Sequence, residues 1–81
     1  MTSTTEVRFA QAPSAAAAAT IHSLKAEFVS ECLRIAALKC QHAADNLDIQ
    51  QILNVDRDMR LAAQHMREAI ASYRELRQAA P

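Results

Sequence analysis

The sequence predicts an all-α protein: an antiparallel helical hairpin with an extended N-terminal arm, assembling into a helical-bundle oligomer. Three observations predict this. Glycine is absent, the two prolines fall at positions 13 and 81, and the strong helix formers Ala, Leu, Glu, Gln and Arg are abundant. Apolar residues recur at spacings of three and four through two long segments. Aromatic residues make up 4% of the chain, too few to fill a β-sandwich or barrel.

Residues 1–12 are polar, rich in Thr and Ser and without periodicity, so they read as an extended arm. Phe9, beside Arg8, is its one bulky aromatic. Pro13 followed by Ser14 marks a helix start, with serine as the N-cap, and the alanine run Ala15 to Ala19 propagates it. Residues 13–81 form the hairpin domain. In its first helix Ile21, Leu24, Phe28, Cys32, Ile35 and Leu38 make one stripe, and Val29, Leu33, Ala36, Cys40 and Ala44 make a second beside it. One partner helix cannot cover both, so the chain is expected to associate with copies of itself.

Asp45-Asn46 and Asn54-Val55-Asp56 are turn signals. They predict a first helix ending near Ala44, a short helical turn from Ile49 to Leu53, and a cap on the last helix at Asn54 or Asp56. In that helix Met59, Ala62, Met66, Ile70, Tyr73 and Leu76 share a face, opposite a polar one carrying Arg60, Gln64, Arg67, Glu68, Arg74 and Glu75. Arg74 and Arg77 suit the negative pole of the helix dipole.

At 81 residues the chain is one domain at most. A single core of this size supplies only ~3–5 kcal/mol, which again favours oligomerisation. Nine basic and nine acidic residues cancel, against the basic excess of a general nucleic-acid binder, but a local basic pocket stays open. A helix-turn-helix DNA reader also lacks its third helix here. No apolar run approaches the ~18–20 residues that span a bilayer. MTSTTEVRFAQ lacks the basic start and apolar stretch of a signal peptide. The chain reads as cytosolic.

Catalytic machinery is not evident. Without glycine there is no P-loop, dinucleotide-binding turn or nucleophile elbow. Asp45, Asp48, Asp56 and Asp58 lie near turns, where capping is their usual work. Among His22, His42, His65, Cys32 and Cys40, the pair Cys40-x-His42 diverges by ~200° on a helix. No HExxH, CxxC or ExxH pairing is present. No metal, cofactor or enzymatic activity is expected. Cys32 and Cys40 lie ~12 Å apart along one helix. That is beyond the ~7 Å reach of a disulfide, so reduced thiols are expected. Arg8, Phe9, Lys25, Arg57 and Arg60 are the groups suited to an anionic, base-bearing ligand. The same residues also fit a plainer reading, in which Phe9 anchors the arm and the cations are solvated.

The stretch Asp56 to Ala69, DRDMRLAAQHMREA, resembles the second-helix signature R-E-x-S-L-A-x-T-x-L-E-E-A of a phage helical-hairpin family. This is the anti-CBASS cyclic-oligonucleotide sponge family, whose hairpin also occurs in anti-Thoeris sponges. Arg57, Leu61, Ala62, Glu68 and Ala69 match identically, and Asp58 and Met66 conservatively. Arg8-Phe9, Pro13 and Leu24-Lys25 follow the family's order in the N-terminal half. Arg60 and Gln64 replace a family Ser and Thr, and Ser72-Tyr73 stands where the family has Trp. The Asn46 to Asn54 hinge exceeds its usual Cys-Pro-Asp turn.

The resemblance implies a non-enzymatic homo-oligomer, commonly a hexamer. In the host bacterial cytoplasm it would sequester cyclic di- or trinucleotides of CBASS-type immunity without hydrolysing them. By the same resemblance Phe9 stacks on a base and Lys25 contacts the ring or a phosphate. Arg57, and with it Arg60, would meet phosphates or hold the protomer interface. The alternative class is a small helical adaptor or inhibitor acting by protein–protein interaction.

Overall fold

The structure, a computed structural model, describes residues 14–79. The expected arm, with Arg8 and Phe9, lies outside them. Helix α1 runs Ala15–Asp48 and helix α2 runs Ile52–Ala79; they pack antiparallel against each other as a hairpin. At 1.5 Å per residue they are ~51 and ~42 Å long. No helix among the described residues is long and apolar enough to cross a membrane.

Ser14 starts α1 as its sequence context requires: its hydroxyl accepts from the Ala17 amide at 3.1 Å, and its carbonyl accepts from Ala18 at 2.8 Å. The helix then passes through the expected stop at Ala44. Asp45 and Asn46 signal turns when their side chains compete for nearby backbone. Here both are engaged elsewhere. Asp45 accepts from Gln41 Nε2 at 3.0 Å, and Asn46 Nδ2 donates across the hairpin to Asp58 Oδ2 at 2.9 Å.

The end of α1 is a Schellman motif. The Gln51 amide reaches back to the Asn46 carbonyl at 2.8 Å, and the Gln50 amide to Leu47 at 3.0 Å. That motif needs a left-handed residue after the cap, and Gln50 takes the role with φ 60°. Glycine usually stands there, because a Cβ crowds the carbonyl in this region. The connection is thus confined to Ile49, Gln50 and Gln51, shorter than the hinge expected from the sequence. Helix α2 begins at Ile52 instead of being capped at Asn54 or Asp56. The Gln51 carbonyl accepts from the Asn54 and Val55 amides.

The seam between the helices falls between the two stripes of α1. Val29, Cys32, Ala36 and Ala43 are buried against Asp58, Ala62 and Ala69 of α2. Lys25, Lys39 and Asn46 continue the line on α1, and Val55, His65, Ser72 and Leu76 on α2, all half-buried. On both helices the spacing alternates between three and four, the register of an antiparallel coiled coil. Its knobs are mainly alanine and polar groups, and among the described residues no large side chain is fully buried. The bulky residues lie outside. Ile21, Leu24, Phe28, Leu33, Leu38, Met59, Met66, Ile70 and Tyr73 are all exposed.

Candidate functional site

The exposed apolar residues divide between two flanks. Leu33 and Cys40 lie one step past the seam on α1, and the hairpin brings them beside Met59, Met66, Ile70 and Tyr73 of α2. Two grooves run along this flank. One of about 410 Å³ lies between Leu33, Ile70, Tyr73 and Arg77. The other, about 300 Å³, lies between Cys40, Met59, Ala63 and Met66 over an alanine floor. Ile21, Phe28 and Leu38 occupy the opposite side of the α1 seam, a helical turn or less from it.

Lys25 stands at the open end of the hairpin, where the start of α1 meets the end of α2. Its ammonium pairs with Glu75 at 3.6 Å, and both side chains stay substantially exposed. It also lines a hollow of about 210 Å³ with Ala18, Ile21, His22 and Ala79. A lysine and a histidine over an apolar floor suit an anionic group attached to a flat ring.

Arg57 and Arg60 are held at the other end. Arg60 bonds Asp56 at 2.6 Å along one face of α2, and Arg57 lies 3.8 Å from Asp58. Counting along α2 from Glu75, the partner of Lys25, the two arginines are ~22–27 Å away. One hairpin therefore does not gather Lys25, Arg57 and Arg60 into one pocket; a site using all three needs more than one chain. Asp58, read from sequence as a capping residue, is instead buried in the seam and accepts from Asn46.

A second constellation sits mid-seam. The ligand atoms of Cys32, His65 and Glu68 all lie within 4.8 Å of one another. Cys32 is buried, and His65 Nδ1 is buried without a hydrogen-bond partner. The nearest carboxylate oxygen, Glu68 Oε2, stands 3.7 Å from that nitrogen. Burial, reinforced by the Glu68 and Glu31 carboxylates, pushes the Cys32 thiol up from its usual range. Sequence reading considered neighbours of Cys40 and the order ExxH, and so passed over His65-x-x-Glu68. A signal was available, since a turn centred on residue 50 puts residue 32 opposite residue 68.

These features define a two-helix hairpin with a thin internal seam and two broad apolar flanks. No family model matches the chain, and neither a curated protein nor a solved structure matches it.

Proposed function

We propose that the chain is a non-catalytic sequestering protein, a phage anti-defence sponge for cyclic di- or trinucleotides that works as a homo-oligomer. The observation that carries this reading is the placement of its large apolar residues. Phe28, Leu33, Met66, Ile70 and Tyr73 are all on the flanks, each 42% exposed or more. Fully burying one such side chain is worth roughly 1.5–3 kcal/mol. A seam of alanines supplies little of that, so the flanks favour meeting other copies. Assembly also answers the separation of the cations, because Lys25 of one copy and Arg57 of another can then face a shared cavity. A cavity on a symmetry axis suits a near-symmetric cyclic ligand.

The chain length between Phe9 and Lys25 fits the reading. Phe9 lies five residues before Ser14, a reach of ~17 Å when extended, and Lys25 lies ~16 Å along α1 from the same point. On chain length alone, the arm is long enough for Phe9 to reach the hollow beside Lys25. The resemblance of residues 56–69 to the sponge signature supports the choice of ligand class. A sponge acts by stoichiometric capture, so it needs tight binding and no turnover. An assembled pocket keeps the ordering cost of binding low.

Calorimetric titration of the full chain with a panel of cyclic di- and trinucleotides tests the proposal. Stoichiometric heat is expected from at least one member, lost in Phe9→Ala and Lys25→Ala while the oligomer persists. No heat from any member would remove the sponge reading. Binding that survives both substitutions would displace the pocket from Lys25.

A second reading has its own support. Met59 and Met66 line an open groove with Cys40, and methionine-rich apolar surfaces adapt readily to different partners. The chain would then be a helical adaptor or inhibitor offering that groove to a host protein. Light scattering separates the two: a monomer at micromolar concentration favours the adaptor, and a defined oligomer favours the sponge.

A further inference from the structure

We propose that Cys32, His65 and Glu68 form a zinc site that clamps the two helices at the middle of the hairpin. His65 and Glu68 stand three apart on α2 and so project from the same face, while Cys32 reaches them from α1 across the seam. A thiolate, an imidazole and a carboxylate form a donor set that favours zinc among common divalent ions. With bonds of ~2.0–2.3 Å, tetrahedral geometry sets ligand atoms roughly 3.4–3.7 Å apart. Separations within 4.8 Å close to that range by small side-chain rotations.

The strongest pointer is His65 Nδ1. It is a buried nitrogen with no hydrogen bond, 3.7 Å from the Glu68 carboxylate. Leaving such an atom without a partner is unfavourable, and a metal ion removes that cost. Glu68 is held for the role from outside, because Gln64 Nε2 donates to its second oxygen at 3.5 Å. Support of this kind orients a ligating carboxylate.

The local electrostatics point the same way. The Glu68 carboxylate lies within 4.8 Å of the Cys32 sulfur and beside His65, and its negative charge favours a dication there. On binding, the thiol releases its proton to solvent and the sulfur bonds the metal, so thiolate and Glu68 together neutralise the ion. Glu68 retains solvent access, which leaves the fourth position to water.

The site is independent of the nucleotide reading, and its test does not use that ligand. Zinc is titrated into the full chain by calorimetry under a non-thiol reductant, with cobalt(II) as the spectroscopic substitute. About one metal per chain is expected, with a thiolate-to-cobalt charge-transfer band that persists in Cys40→Ala. Cys32→Ala adds one more alanine to an alanine seam. It should remove the band and weaken binding at least about a hundredfold. Glu68→Gln, on a solvent-accessible position, should cost about tenfold without disturbing the seam. A wild-type protein with no such band, or unchanged affinity in either variant, overturns the assignment.

Discussion

The seam between α1 and α2 and the flanks beside it are built from different residues. The seam holds Ala36, Ala43, Ala62 and Ala69 with Asn46, Asp58, Cys32 and His65, whereas the flanks hold Phe28, Leu33, Met66, Ile70 and Tyr73. In a self-sufficient hairpin the larger side chains would face each other. Here small knobs bring the helices close, and polar pairs decide which residue meets which. The difference teaches that the internal contact rests on small and polar groups, while most of the large apolar side chains stay exposed.

The largest expected effect tests that division. If the flanks are an interface, Leu33→Asp should destabilise the protein by roughly 2 kcal/mol or more and abolish self-association. A truly solvated leucine would tolerate the change within about 0.5 kcal/mol. Denaturation at several protein concentrations reads it, since an obligate oligomer melts higher as concentration rises.

Next comes the seam. Asp58→Ala leaves the Asn46 amide without its acceptor in a partly buried position and should cost about 1–3 kcal/mol by chemical denaturation. The double variant Asn46→Ala with Asp58→Ala should recover part of that loss, and simple additivity would show that the bond contributes nothing. At the turn, Gln50→Gly should stabilise the hairpin by about 1 kcal/mol or less, because glycine takes the left-handed conformation without a Cβ clash. A destabilisation there would mean that Gln50 does more than turn the chain.

A smaller effect is pH-dependent. Burial raises the folded-state pKa of Cys32. Below about pH 8.5 the thiol is protonated in both states and contributes no pH dependence. Above it the unfolded thiol ionises first, so the unfolded chain binds fewer protons and stability falls as pH rises. Metal-free protein should show that slope in urea midpoints, and Cys32→Ala should lack it. Smallest of all, Lys25→Ala should change folding stability by 0–1 kcal/mol, because its pair with Glu75 is exposed. The same variant is expected to lose the nucleotide, a contrast that separates a binding residue from a structural one.

The hairpin architecture was legible because periodicity and the absence of glycine leave few other options. The helix ends were less so. Asp45 and Asn46 read as breakers until the Asp58 partner is known, and no sequence cue marks glutamine as the left-handed residue of a Schellman motif. The width of the apolar face on α1 was also legible, but not which line within it would become the seam. Alanine and lysine at Ala36 and Lys39 carry a weaker signal than Phe28 or Leu38, yet they are the ones turned inward. The meeting of Cys32 with His65 and Glu68 depends on register across the turn, which no local pattern in the chain displays.

The Asn46–Asp58 bond lies a short way inside the closed end of the hairpin. A polar lock placed there lets the chain zip from its loop outward, since the first contacts to form are also the nearest in sequence. Each later turn of helix then docks in a position already chosen, and slipping by a heptad would strand a buried carboxylate. Lys25, His22 and Ala79 lie together at the other, open end. Register set near the loop is carried to that end by the alternating three- and four-residue spacing of the seam.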